Sequence, residues 1–143
     1  MAQAAMNNML VEDCEFTRSG QNEAKCAYDA EDGWDMMQDV TFRRLNFHDN
    51  PINDFLTCAG HNFIVENMID GDVHIWGRTK DFVLRNSNCN EINIGYDDIV
   101  RHGVSKIYNN TINGGTIHEN IGRNMTVKKI LDGIVYNSTM NSI

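Results

Sequence analysis

The sequence predicts an all-β protein in which short parallel strands wind into a coil of about six turns. Three observations predict this fold class. A short pattern of apolar, charged and turn-forming residues recurs along the chain, and asparagine recurs at one position of that pattern. After Asn8, no apolar stripe with the period of an α-helix is long enough to form one.

The recurring unit is clearest in residues 82–89, FVLRNSNC, where an apolar residue is followed by a charged residue, an asparagine and a small residue. The six copies begin at Val11, Phe42, Val65, Leu84, Ile107 and Val127. These residues are separated by 31, 23, 19, 23 and 20 positions. The last four steps average about 21 residues, a period that is typical of solenoids, in which each turn packs only on its neighbours.

Asparagine is abundant in this chain, at 19 of 143 residues. One position of the unit is held by asparagine in three copies and by aspartate in the first (Asn67, Asn86, Asn109 and Asp13). Arg44 and Lys129 interrupt the series. Asparagine tolerates the positive φ of a tight turn, and equivalent positions of a strand coil stack about 4.8 Å apart, so we expect a ladder of hydrogen-bonded amides. A meander of β-hairpins is the alternative, because Asp-Gly and Asn-Gly pairs are hairpin turns, but hairpins give no reason for asparagine to keep one position.

Each unit is expected to contribute two short strands with a polar turn between them. The predicted strand pairs cover residues 9–16 and 24–28, 40–47 and 55–58, 63–69 and 72–76, 82–89 and 91–95, 104–112 and 116–118, and 125–131 and 134–136. Residues 1–8, rich in Ala and Met, are predicted to be a short helical cap or a segment foreign to the repeat. The repeat domain is residues 9–143. Because no polar cap follows its last unit, we expect a longer parent chain or a covering subunit.

Composition limits the class of protein. The net charge of −8 repels phosphate backbones, so no nucleic-acid partner is predicted. No apolar run approaches the ~20 residues that span a bilayer, so no membrane insertion is predicted. The start of the chain lacks the features of a signal peptide, although virion proteins leave cells by lysis without one. The four cysteines have no C-x-x-C spacing and are predicted to be reduced core residues.

The ~21-residue step and the asparagine position at Asn67, Asn86 and Asn109 resemble the right-handed parallel β-helix, the pectate-lyase-like fold. Polysaccharide lyases and hydrolases share that fold with many phage tailspikes and tail appendages. The resemblance covers residues 9–136. It implies a virion-surface or extracellular location, contact with cell-surface polysaccharide and a trimer of the tailspike kind. Since one fold carries many functions, the side chains must supply the functional argument.

The first candidate site is the long connection at residues 29–39, where the first step exceeds the usual one by about ten residues. Paired carboxylates serve as acid and as base or nucleophile in glycoside hydrolysis, and a close like charge raises one of their pKa values. Glu31, Asp32 and Asp35 are therefore candidate catalytic residues, and Trp34 offers a flat face for a sugar ring. The alternatives are a Ca²⁺ site built from the same carboxylates, although the order of residues does not match an EF-hand, and a solvated acidic loop.

Two further candidates are substrate contacts. Asp72, His74 and Trp76 alternate along one predicted strand, so they share the face opposite Val73 and Ile75 and are predicted to form a sugar-contact strip. The alternative is an ordinary exposed strand.

Tyr96 precedes Asp97 and Asp98, with His102 nearby. Adjacent aspartates resemble those of polygalacturonases, but the motifs that surround them in that family are missing, so only Tyr96 is predicted, as a sugar contact. An ordinary turn is the alternative.

Two functions follow. The leading one is a structural and recognition module of a phage tail appendage or similar surface fibre that contacts cell-surface polysaccharide. The other is a polysaccharide depolymerase, a lyase or glycoside hydrolase, that uses the carboxylates of residues 29–39. No metal ligands are assigned, and Ca²⁺ is the cofactor that this acidic connection suits.

Overall fold

A computed structural model of the chain describes residues 2–3, 6–19, 26–30, 37–94, 105–117, 125–126, 133–136 and 139–140. Every regular element in these residues is a β-strand. None of them belongs to a helix long and apolar enough to cross a membrane. The all-β fold class is therefore confirmed for the described part of the chain.

Fifteen strands make up the described fold. They are β1 (Ala2–Gln3), β2 (Asn7–Glu12), β3 (Glu15–Thr17), β4 (Cys26–Ala30), β5 (Gln38–Arg43), β6 (Asn46–His48), β7 (Asn53–Glu66), β8 (Asp72–Lys80), β9 (Val83–Arg85), β10 (Asn88–Ile94), β11 (Ser105–Tyr108), β12 (Thr111–Ile117), β13 (Met125–Thr126), β14 (Gly133–Tyr136) and β15 (Thr139–Met140). The prediction of a helical cap at the start of the chain is wrong for the residues described there. β1 pairs with β4, and β2 pairs with β5, because backbone pairing with a neighbouring strand satisfies these residues better than a short isolated helix would.

Twelve of the thirteen pairings between described strands are parallel, and only β12 with β13 is antiparallel. Parallel strands cannot be joined by two-residue hairpins, so the hairpin meander is not what forms here. One sheet of thirteen strands and one of two strands, β3 with β6, hold the described strands together.

The register confirms the first five repeat units. Val11 is the partner of Phe42, Phe42 of Val65, Val65 of Leu84, and Leu84 of Ile107. The sixth unit is wrong, because Ile107 is the partner of Val135 and not of Val127. In sequence, the run Val135-Tyr136-Asn137 keeps the asparagine that follows Ile107-Tyr108, whereas Val127 is followed by two lysines.

The repeated asparagine position is a corner in the left-handed region. Asn67, Asn86 and Asn109 have φ of 55°, 53° and 56°, and Asp13 and Arg44 at the equivalent positions have φ of 56° and 52°. A second series of corners lies five residues earlier, at Asn8, Asp39, Asn62 and Asp81. The arginine that departs from the pattern therefore adopts the same backbone conformation as the asparagines, at a cost of about 1–2 kcal/mol.

The predicted ladder of amides is not formed at the corners, where the side chains of Asn67, Asn86 and Asn109 are exposed. The side-chain amide that does join two layers lies one residue after the corner. Buried Asn110 donates from Nδ2 to the carbonyl oxygen of Leu84 (3.0 Å) and accepts from the backbone N–H of Ser87 (2.9 Å) at Oδ1. A corner side chain points away from the stack, so the next residue is the one that reaches the neighbouring turn.

Alternate residues of the strands fill one continuous core. Tyr28, Phe42, Phe55 and Phe63 are completely buried, and their ring centroids lie 4.9–6.1 Å apart along the cluster. Cys26 and Cys89 are buried, as predicted for core residues, whereas Cys14 is only half-buried; the side chain of Cys58 lies outside the described part. The core makes the inward positions apolar and leaves the outward positions to carry polar chemistry.

Candidate functional site

The described residues contain only part of the sites predicted from sequence. Glu31, Asp32, Trp34, Asp35 and Tyr96 lie outside the described residues. The connection that carries the first four begins directly after β4, whose residue Asp29 is the register partner of Leu56. Leu56 is in turn the partner of His74. Asp29, near the end of β4, therefore lies on the same face of the sheet as His74.

Asp72 and His74 lie in β8, as does the backbone of Trp76, whose side chain is outside the described part. Val73 and Ile75 are completely buried in the core, so the predicted alternation of the strand is confirmed. His74 is only 8% exposed, however, and Asp72 is half-buried. The strip is therefore not an ordinary exposed strand but one with restricted access to solvent.

The neighbouring strands bring three further polar residues to the same face. In β10, Glu91 is the register partner of Asp72, and Asn93 is the partner of His74. In β7, Asp54 accepts a hydrogen bond at Oδ2 from the backbone N–H of Asp72 (2.9 Å). We call the five residues Asp54, Asp72, His74, Glu91 and Asn93 the acidic face.

Side-chain hydrogen bonds fix much of the acidic face. Asn50 Nδ2 donates to Asp54 Oδ1 (2.7 Å), which leaves the other oxygen of Asp54 for the start of β8. Asn93 Nδ2 donates to Glu91 Oε1 (2.9 Å) and lies 3.5 Å from His74 Nδ1. The carboxylates and the amide are therefore held by the scaffold before any ligand arrives, which lowers the entropy cost of binding.

Gly71 allows β8 to start beside Asp54. Its φ is +111°, and a Cβ at this position would lie 2.7 Å from Phe47 Cβ and 3.1 Å from Asp54 Oδ2. Only glycine combines this backbone conformation with so close an approach. Asp-Gly pairs are typical of hairpin turns, but Asp70-Gly71 joins β7 to β8, and these two strands pair in parallel.

Burial and like charges alter the protonation of this face. Burial, with the neighbouring carboxylates of Asp54, Glu91 and Asp70, raises the pKa of Asp72 to about 6. Burial also lowers the pKa of His74, against the opposing effect of Glu91 and Asp54. At neutral pH the imidazole of His74 is therefore neutral, and the pKa of Asp72 lies close to neutral pH.

Sequence reasoning missed Asp54, Glu91 and Asn93, although the signal for two of them was present. The step from Val65 to Leu84 is 19 residues, and the same step leads from Asp72 to Glu91 and from His74 to Asn93. Applying the repeat to the candidate strip would have found both partners. The step from Asp54 to Asp72 differs from the 19-residue step, because the register between β7 and β8 shifts between Thr57 and Ala59.

The acidic face presents carboxylate and amide groups that can hydrogen-bond sugar hydroxyls, and one carboxyl group that can hold a proton near neutral pH. Among the described residues no group of three or more His, Cys, Asp and Glu side chains has a geometry that could hold a metal ion. Comparisons of the chain with protein-family models, with curated proteins and with solved structures find no match.

Proposed function

We propose that this chain is a right-handed parallel β-helix of about six coils that contacts cell-surface polysaccharide, as a module of a phage tail appendage or a similar surface fibre. The observation that carries the proposal is the register of the acidic face. Asp72 and His74 on β8 stand directly beside Glu91 and Asn93 on β10. Polar side chains repeated at the ~4.8 Å strand spacing match an extended ligand that also repeats.

The chemistry of the face suits hydroxyl groups. Carboxylates of Asp72 and Glu91 accept hydrogen bonds from hydroxyls, and the neutral imidazole of His74 can accept or donate. The scaffold already orients Asp54 and Asn93. A neutral or hydroxyl-rich sugar avoids the repulsion that a polyanion would meet here. The location that follows is a virion surface or another extracellular surface.

A depolymerase, either a glycoside hydrolase or a lyase, is the second candidate function. The pKa of about 6 at Asp72 favours it, because a carboxyl group that keeps its proton near neutral pH can act as a general acid. Glu91 and Asp54 are the nearby carboxylates that could serve as base or nucleophile. Glu31, Asp32 and Asp35 stay candidates for the same chemistry from the connection that follows β4.

Glycan retention tests the proposal. The chain is immobilised and challenged with a panel of bacterial surface polysaccharides, with Asp72→Asn and Asn93→Ala as the variants. Asp72→Asn replaces a carboxylate acceptor by an amide, and Asn93→Ala removes the amide that holds Glu91, so we expect at least a ~10-fold loss of affinity for the retained glycan. The exposed corner residue Asp81 gives a matched control, since Asp81→Asn removes the same charge outside the acidic face.

Two results would contradict glycan contact at this face. One is a panel in which no polysaccharide is retained, and the other is retention that Asp72→Asn and Asp81→Asn leave equally strong. Release of reducing ends or of unsaturated uronates by the wild-type chain, lost in Asp72→Asn, would instead support the depolymerase.

A further inference from the structure

We propose that two copies of this chain associate end to end, by pairing the open edges of β2 across a two-fold axis with β3 packed beside them. Among the described strands, β2 pairs with β5 alone and β3 with β6 alone, so each has a second edge that no described strand covers. An edge strand presents backbone N–H and C=O groups that can pair with another chain. This association does not depend on glycan binding.

The inward side chains at this end of the stack are incompletely covered. Met9, Val11 and Phe16 are partly buried and pack on the core from one side. Their register partners on β5 and β6, Val40, Phe42 and Phe47, are 0–1% exposed. One further layer of strands would give the first three residues the burial that the second three have. An apolar row left open in this way gains free energy from a layer above it.

The charges at this end do not oppose a second copy. Arg44 Nε lies 2.6 Å from Asp13 Oδ1, and Arg44 Nη2 lies 2.8 Å from Glu12 Oε2. Glu15 Oε1 lies 2.8 Å from His48 Nε2. Glu12 and Asp13 thus share Arg44, and Glu15 shares His48 with Asp49, so each acidic side chain of β2, of β3 and of the corner between them has a cationic or titratable partner one layer below.

Antiparallel pairing about a two-fold axis also matches the polar ends of β2. The strand begins with Asn7 and Asn8 and ends with Glu12. In such a pair, Glu12 of one copy lies opposite the asparagines of the other copy, so carboxylate meets amide rather than carboxylate. A two-fold contact closes after two copies. Among the described strands, β1 covers β4 and pairs with no other strand, so its outer edge lies open at this end together with those of β2 and β3.

The backbone groups involved can be assigned. The N–H of Asp13 donates to the carbonyl oxygen of Arg43 (3.1 Å), toward β5. Alternate residues of a strand direct their N–H groups to opposite sides, so Val11 also faces β5 whereas Leu10 and Glu12 face the open edge. Leu10 is 49% exposed, so its side chain can be replaced without disturbing the core.

Solution mass tests the association. Sedimentation equilibrium of the wild-type chain is expected to give twice the 16.3 kDa of one chain at high concentration, with dissociation on dilution. Leu10→Pro removes the N–H on the open edge and fills the space with the proline ring, so the dissociation constant should rise at least ~10-fold. Leu10→Thr, which copies Thr41 at the equivalent position of β5, keeps the N–H and should dimerise like wild type.

Hydrogen exchange of the wild-type chain keeps the proposal testable if Leu10→Pro does not fold. The amides of Leu10 and Glu12 should exchange at least ~10-fold more slowly at dimer-forming concentrations than on dilution, while those of Val11 and Asp13 stay protected in both. A monomer at every concentration, a trimer, a dimer in which the Leu10 and Glu12 amides exchange unchanged, or a Leu10→Thr variant that is as monomeric as Leu10→Pro would each overturn it.

Discussion

Asp72 shows how one outward side chain acquires unusual chemistry from its neighbours. In the unfolded chain its carboxyl has the ordinary pKa of 3.8, and in the fold burial and the carboxylates of Asp54, Glu91 and Asp70 raise that pKa to about 6. Below pH 3.8 the group is neutral in both states and costs nothing. As the pH rises through 6, the folded state must ionise a disfavoured group, so stability is lost.

We therefore predict that Asp72→Asn stabilises the protein at pH 7.5 and does so much less at pH 4. Because Asp72 is partly exposed, solvent screening reduces the gain to about 1 kcal/mol at the higher pH. Urea unfolding at the two pH values measures it. An Asp72→Asn gain that is the same at both pH values would contradict the assigned cause, and Asp81→Asn controls for the change in net charge.

At the corners between strands, the residue after the one with positive φ makes the hydrogen bonds to the neighbouring layer. At the corner before β12, Asn109 is exposed with φ of 56°, whereas Asn110 is buried and bonds to two backbone groups of the preceding layer. Ser87, at the equivalent position one layer earlier, accepts from the backbone N–H of Met68 (3.0 Å) and donates to the carbonyl oxygen of Arg85 (2.9 Å). Adjacent residues thus have separate roles, one in backbone geometry and one in joining layers.

We predict that Asn110→Ala lowers the free energy of unfolding by about 2–3 kcal/mol, since it leaves a buried N–H and a buried carbonyl without their side-chain partner. Asn109→Gly should change the stability by less than about 0.5 kcal/mol, because glycine adopts the same φ without strain. Chemical denaturation of both variants compares the two roles. Equal losses at the two positions would show that the assignment of the buried amide is wrong.

Successive layers of the molecule are also held on their outer side by a row of alternating charges. Glu12, Arg43, Glu66 and Arg85 are register partners on β2, β5, β7 and β9. Arg43 Nε and Arg85 Nε each lie 2.7 Å from a carboxylate oxygen of Glu66, which is 9% exposed. Burial works to raise the pKa of Glu66, but the bonds to Arg85 and Arg43 outweigh it and the pKa is lowered.

We predict that Glu66→Gln costs about 1–3 kcal/mol at neutral pH, because two charge-assisted hydrogen bonds lose their ionised acceptor. Since the folded pKa is lowered below 4.5, this stabilisation is present above pH 4.5 and is lost as the pH falls through the folded value. Glu12→Gln, at the more exposed end of the row, should cost less than about 1 kcal/mol. Thermal unfolding at pH 7 ranks the two; a larger loss at Glu12 would contradict the role of burial.

The amino-acid sequence alone predicts the all-β fold class and the register of the first five repeat units, because both depend on local patterns. Val65 and Leu84 could be aligned since each begins the same apolar, charged, asparagine run. Apolar spacing alone places the sixth unit at Val127, whereas the register partner of Ile107 is Val135. His74 was expected to be exposed, and its burial comes from strands that are distant in sequence.

What the sequence determined is the repeat: which residues turn inward, which ones bend the chain, and how far apart equivalent positions lie. These properties follow from side-chain polarity and backbone preference within a few residues. The fold alone decided that Asp54 stands beside Asp72, and how deeply Asp72, His74 and Glu66 are buried. Their protonation and energetics arise from desolvation and from charges brought together across layers, which no local pattern encodes.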